Sequence, residues 1–172
     1  MAKYISLIRR HEAEMKKLHQ AVREAFESSQ HSTTQREEWQ RAATRFRMYR
    51  SEVDNRLDEI ETEGHFNWED GREFVFDYCR VDSMYFRSGY VKEMLLKYMM
   101  RLEFTENEAE AIRELVVRRI EEGGKREFRK LCRLIPRIQT PKFKLELATL
   151  LDDQNPRVVR RAEIANEYLV SP

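Results

Sequence analysis

Apolar residues recur every seven positions through the first 28 residues, and this spacing most constrains the fold. Ile8, Met15 and Val22 form one series. A second series lies four places earlier in the same frame: Tyr4, His11, Leu18 and Ala25. Such an a/d pattern is typical of a helix that packs along one stripe against another helix. We therefore expect a long amphipathic helix over about residues 2–28.

A second apolar stripe with helical spacing runs from about residue 35 to residue 61. A short polar segment, residues 28–34, separates it from the first. Two helices joined in this way predict an antiparallel, coiled-coil-like hairpin over residues 1–63, about 40 Å long. Because the hairpin can pack on itself, on the rest of the chain or on a second copy, a homodimer is one expected alternative. The second stripe comprises Trp39, Ala42, Ala43, Phe46, Tyr49, Val53, Leu57 and Ile60.

Composition extends the helical prediction to the whole chain. The 172 residues include 5 glycines and 4 prolines, while 37% are charged and 41% are hydrophobic. This mixture favours an all-α protein of about eight helices. Residues 62–71 are the expected boundary, followed by a helical bundle or short HEAT-like solenoid over residues 72–172. The apolar centre at 74–76 is compatible with a strand, but we expect helix because no partner strand is evident.

Helix starts and stops have local signals. Capping boxes are expected at residues 34–37 and 105–108, where each side chain satisfies a free backbone N–H. The Gly-Gly pair at 123–124 predicts a helix end. Thr-Pro at 140–141 and Asn-Pro at 155–156 each place a capping residue before a proline in the first helical turn. These signals divide the second half of the chain into several short helices.

The C-terminal part resembles a HEAT or armadillo-like helical repeat. The resemblance rests on Leu-Leu-Asp-Asp-Gln-Asn-Pro-Arg-Val-Val-Arg-Arg-Ala at residues 150–162, continuing to Leu169. The arginine falls at Arg160, whereas the position such repeats usually give to it holds Val159. The resemblance covers about residues 125–170. It implies stacked helical pairs with a curved surface that binds protein or nucleic acid, and an ordinary capped helical hairpin is the alternative.

A basic stripe lies on the helix predicted over residues 125–138, which is expected to end or kink near Pro136. At about 100° per residue, its five cations fall within an arc of roughly 100°. Like charges four positions apart repel each other, so a stripe without acids is expected to face something negative. The five cations are Arg126, Arg129, Lys130, Arg133 and Arg137.

The surroundings of the basic stripe leave three negative partners open. Residues 124–144 carry 8 cations and 1 acid, with Lys142 and Lys144 extending the stripe, whereas residues 51–82 carry 3 cations and 11 acids. The stripe can therefore pair with the acidic segment of its own chain, with the acidic surface of a protein partner, or with a nucleic acid.

Catalytic and metal-binding motifs are weak. His11 and His19 are eight residues apart, so the two do not form the His-x-x-x-His pair of a helical metal site. The residues around the Gly-Gly-Lys at 123–125 do not complete a phosphate-binding loop. Cys79 and Cys132 lie in apolar helical patterns without a recognisable catalytic partner. We therefore expect no catalytic residue, cofactor or metal, and two reduced thiols.

These patterns together predict a non-catalytic protein–protein interaction module, such as an adaptor, regulator or inhibitor. It would dock a partner through the hairpin or through the basic stripe. Nucleic-acid binding through the same stripe is one alternative, and a small-ligand site or enzyme in the aromatic and methionine-rich middle is another. No apolar run approaches 18 residues and no signal peptide is evident, so we expect a cytoplasmic protein without a membrane span.

Overall fold

The chain folds into α-helices throughout the part that the structure describes. A computed structural model describes residues 3–29, 32–63, 69–123 and 127–169. Within these ranges there is no strand, and the predicted all-α fold is confirmed. The helices are α1 (Ile5–Ser28), α2 (Thr33–Met48), α3 (Glu52–Glu63), α4 (Glu69–Val81), α5 (Ser88–Met99), α6 (Glu106–Glu122), α7 (Phe128–Cys132), α8 (Ile135–Ile138), α9 (Pro141–Thr149) and α10 (Pro156–Asn166), with a 3₁₀ turn at Leu150–Asp152.

The first of two compact units ends at Ser88. Helices α1 and α2 run antiparallel, because residues late in α1 contact residues early in α2 and the reverse. Phe26 lies 5.8 Å from Trp39, and His19 lies 5.6 Å from Phe46, between ring centroids. The N-terminal end of α1 instead packs against α3 and α4. The buried apolar core therefore lies at this end of the hairpin: Tyr4, Ile8, Val53, Leu57, Ile60, Phe74, Val75, Phe76, Tyr78 and Cys79.

The second predicted helix, residues 35–61, is in fact two helices. Tyr49 is extended, with ψ 128°, and ends α2. Ser51 then starts α3, since its hydroxyl accepts from the backbone N–H of Val53 at 3.1 Å. The carboxylate of Asp54 accepts from the backbone N–H of Ser51 at 2.8 Å. This reciprocal pairing resembles a capping box. It was missed at the level of the sequence because the periodic apolar stripe continues through these residues.

Two other boundaries differ from the sequence-based expectation. Helix α2 is capped by Ser32, whose hydroxyl accepts from the N–H of Gln35, rather than by the box expected at residues 34–37. The expected boundary at 62–71 lies partly outside the described residues. Helix α4 follows it and belongs with the first unit, because the backbone N–H of Tyr4 donates to the carboxylate of Asp77 at 2.9 Å. The predicted division into 1–63 and 72–172 thus differs from the division after Ser88.

The second unit, from Gly89 onward, has a dense apolar core. The capping box at Thr105 and the caps at Thr140 and Asn155 are present as predicted, and each proline lies in the first turn of its helix. These short helices bury one apolar side each. The buried residues are Leu95, Leu96, Met99, Ala109, Ile112, Leu115, Val116, Ile120, Phe128, Leu131, Cys132, Leu134, Ile135, Ile138, Phe143, Leu147, Val158, Ala162 and Ala165.

Candidate interaction surfaces

The basic stripe does not lie on one continuous helix: residues 133–134 interrupt it, close to the end or kink expected near Pro136. Helix α7 ends at Cys132 and α8 begins at Ile135, with a tightened turn between them. Pro136 has no N–H to donate to the carbonyl of Cys132, and its ring disfavours a regular turn there. The backbone therefore closes shorter hydrogen-bonded rings, such as Leu134 N–H to the Leu131 carbonyl at 2.9 Å.

Two of the five predicted stripe residues bind other parts of the second unit. The ammonium of Lys130 lies 2.9 Å from a carboxylate oxygen of Glu93. The guanidinium of Arg137 donates to the carbonyls of Met100, at 2.6 Å, and Leu102, just beyond the end of α5. The negative groups that these two cations meet are thus a carboxylate and helix-end carbonyls in the same unit.

The remaining predicted cations divide by exposure. Arg129, Arg133 and Lys142 are exposed, and neither an ion pair nor a hydrogen bond of their side chains occurs within the described residues. Lys144 is partly exposed and takes part in an interaction. Arg126 lies outside the described residues. Among the described cations of the predicted surface, Arg129, Arg133 and Lys142 are thus the exposed ones without such a contact.

Two more arginines, like Arg137, bind the carbonyls at the end of a helix that is distant from them in the sequence. Arg113 is buried and donates to the carbonyl of Ile138 at 2.8 Å, at the end of α8. Arg161 donates to the carbonyls of Ile120, at 2.6 Å, and Glu121, at the end of α6. The last carbonyls of a helix lack partners within the helix and carry partial negative charge. These arginines therefore have structural roles that no local motif in the sequence indicates.

A buried ionic cluster in the second unit was also missed by sequence reasoning. Glu127 is 4% exposed, and its carboxylate lies 3.7 Å from the ammonium of Lys92 and 4.0 Å from the guanidinium of Arg119. Both cations are buried as well. A buried charge is tolerated only near its opposite. We therefore assign this cluster a structural role.

The hairpin carries a row of aromatic side chains along one side. Phe26 packs on Trp39 towards the α1–α2 link, and His19 packs on Phe46 further down. Phe86 lies against both of the latter rings, with centroids 5.0 Å from His19 and 5.5 Å from Phe46. We call these five residues the aromatic face.

The aromatic face stays open to solvent. Phe26 is 51% exposed and Phe86 is 48% exposed. Among the described residues from Glu12 to Glu52, none is buried, and these include Met15, Leu18, Val22 and Ala25 of the heptad seam. Two helices alone cannot enclose a core, so the apolar stripe of the hairpin is only partly covered.

His11 is the centre of a buried polar cluster at the base of the hairpin. Its Nδ1 lies 2.8 Å from the hydroxyl of Ser51, which donates to Asp54 at 2.9 Å. Desolvation by burial lowers the pKa of His11, and the carboxylate of Asp54 only partly opposes this. Ser51 caps α3, so this Ser–His–Asp grouping stabilises the start of that helix. It is not arranged as a nucleophilic triad, because His11 is only 2% exposed and the serine hydroxyl donates to the aspartate rather than to the histidine.

The two cysteines are buried. Burial raises the pKa of the Cys132 thiol to about 12, more than the nearby Arg129 lowers it. A thiol with so high a pKa stays protonated near neutral pH, and the protonated form is a poor nucleophile and metal ligand. Cys132 is therefore a core residue of the second unit.

Among the described residues, no three His, Cys, Asp or Glu side chains come together as metal ligands. No described helix is long and apolar enough to span a membrane.

Comparison with known proteins yields no match to a family model, to a curated protein or to a solved structure. The resemblance of residues 125–170 to a HEAT or armadillo-like repeat therefore stays a prediction. Helices α9 and α10 start at the two prolines that suggested it.

Proposed function

We propose that this protein is a non-catalytic protein–protein interaction module that docks its partner through the aromatic face of the hairpin. One observation carries the proposal: five aromatic rings are aligned along a hairpin that buries none of its described residues from Glu12 to Glu52. The N-terminal hairpin was one of two surfaces that the sequence predicted for docking. The other, the basic stripe, has Lys130 and Arg137 engaged within the second unit.

A partner that covered the aromatic face would bury a large apolar area. Phe, Tyr and Trp side chains bury roughly 150–250 Å² each, and aromatic residues are enriched at the centres of protein interfaces. Phe26 and Phe86 each leave about half of their surface in water. The rings are already held by their neighbours, so a partner that covered them would gain apolar contact while ordering few new side chains.

The test is affinity capture from native lysate with paired variants of the full chain. We expect Phe26→Ser with Phe86→Ser to abolish capture of specific proteins while circular dichroism shows the helices intact. Met48→Ser is the matched control, because Met48 is 74% exposed but lies on the opposite side of α2 from Phe46 at about 100° per residue. Capture that persists in the double phenylalanine variant would contradict the proposal.

Nucleic-acid binding is a second candidate, favoured by the exposed guanidiniums of Arg129 and Arg133. These lie four residues apart and meet no acid among the described residues. Binding through them should weaken steeply with salt. We expect Arg129→Glu with Arg133→Glu to abolish nuclease-sensitive capture if this candidate holds, and to leave protein capture intact if the aromatic face is the docking site.

A further inference from the structure

The edges of the aromatic face are lined by cations. On α1, Lys16 and Arg23 fall within about 60° of His19 at 100° per residue. On α2, Arg36 and Arg47 fall within about 80° of Trp39. All four are exposed. The aromatic face is therefore an apolar strip with cations along both of its edges.

The acids near these edges lie on α1, so the positive charge is concentrated on the α2 edge. Glu12 lies on the same side of α1, but its carboxylate accepts from the ammonium of Lys16 at 2.7 Å and from the backbone N–H of Met84 at 2.8 Å. Burial raises the pKa of Glu12, but these hydrogen bonds outweigh it and lower the pKa. The Glu12 carboxylate is therefore ionised and already accepts from two donors of its own chain. The carboxylate of Glu27 lies 4.0 Å from the guanidinium of Arg23. Both side chains are exposed, so screening by solvent makes this ion pair weak.

The cations on α2 are more available to a partner than the cations on α1. Within the described residues, the side chain of Arg36 has no ion pair or hydrogen bond. The Nε of Arg47 donates to the Ala43 carbonyl at 3.2 Å. This hydrogen bond holds the guanidinium along α2 beside the aromatic face while its terminal nitrogens stay exposed. A partner on the face would meet both arginines at its edge.

We infer that the aromatic face receives an amphipathic helix whose apolar side covers the rings and whose acidic flanks meet these cations. The inference rests on the proposed function and names the chemistry of its partner. An antiparallel helix pair presents a shallow groove, and recognition of a third helix in such a groove uses apolar side chains at i, i+3, i+4 and i+7. Glutamate or aspartate beside those positions would lie opposite Lys16, Arg23, Arg36 and Arg47.

Two other occupants fit the same surface less well. A second copy of this chain, docked by the same face, would set like charges against each other, which is unfavourable at an interface. A single-stranded nucleic acid would need free ring faces for its bases to stack on. One face of the Phe86 ring is already stacked on His19, with 23° between their planes, and the Trp39 ring packs on Phe26, so fewer ring faces are left for bases.

The test measures fluorescence anisotropy of labelled probes with the full chain. One probe is a synthetic peptide of about 18 residues with Leu and Phe at helical spacing and Glu elsewhere, and its partner probe has Lys for every Glu. We expect the Glu peptide to bind at least about tenfold more tightly. Arg23→Glu with Arg36→Glu should weaken it at least about fivefold. Arg41→Glu with Arg45→Glu, on the other side of α2, should change it less than about twofold.

Several outcomes would overturn the inference. These are equal binding of the two peptides, binding of neither, tighter binding of an oligouridine probe, and a dimer by light scattering that Phe26→Ser with Phe86→Ser dissociates. If lysate capture depends on the aromatic face while the peptide test fails, the proposed function stands and the acidic helix is wrong. If capture does not depend on the face, the proposed function fails regardless of the peptides.

Discussion

The N-terminal hairpin and the second unit distribute charged and apolar side chains in opposite ways. In the second unit, Lys92, Arg113, Arg119 and Glu127 are buried together with a large apolar core. In the hairpin, the charged side chains are outside and the apolar seam is only partly covered. The hairpin consists of two helices, whereas six helices surround the second core, so each apolar residue of the hairpin has fewer neighbours to cover it.

This difference separates stability from binding. Seven helices or turns pack around the core of the second unit, and arginines bind the ends of three of its helices. Such a core gains most from burial. The two-helix hairpin gains less, and part of its apolar surface stays in contact with water. We therefore expect mutations to affect folding in the second unit and recognition in the hairpin.

The largest expected effect compares one substitution in both regions. Leu147→Ala removes a side chain that is 0% exposed and should lower the free energy of unfolding by about 2–5 kcal/mol, because it leaves a cavity. Leu18→Ala, in the partly exposed seam, should cost about 1 kcal/mol, because less area is buried and water can fill the space. Urea unfolding followed by circular dichroism measures both, and equal losses would remove the distinction between the regions.

A smaller effect is expected at the helix-capping arginines. Arg161→Met leaves the carbonyls of Ile120 and Glu121 without their charged donor, and should cost about 1–2 kcal/mol. The neighbouring Arg160 is exposed and pairs with Glu163, so Arg160→Met should change stability by less than about 0.5 kcal/mol. The same unfolding measurement compares them, and two small losses would refute a stabilising role for the arginine cap.

The smallest expected effect is a pH dependence at the base of the hairpin. Because burial holds the pKa of His11 below its usual 6.5, the unfolded chain takes up more protons than the folded one as pH falls through this range. The contribution of His11 is therefore complete above about pH 6.5 and is lost progressively below it. The melting temperature of the native protein should fall more from pH 7.5 to 5.5 than that of His11→Gln. Parallel curves would show that His11 does not titrate as inferred.

Local signals predicted much of the helical framework. The caps at Thr105, Thr140 and Asn155 lie where the sequence indicated, because a capping side chain reaches only two or three residues along the chain. The start of α3 at Ser51 also has a local signal, in Asp54 three residues on, but the seam continues through it in the same frame. The apolar periodicity alone therefore predicted α2 and α3 as one helix.

What the sequence by itself determined is the helical class, the apolar side of each helix and most helix starts, since these depend on spacing and on contacts within one turn. The groups that the charged side chains bind were decided only by the tertiary structure. Arg137 and Arg161 bind carbonyls 35–41 residues away, and no local pattern encodes such a distance. Likewise, the row formed by Phe26, Trp39 and Phe86 exists because folding brings three separate segments to one side of the hairpin.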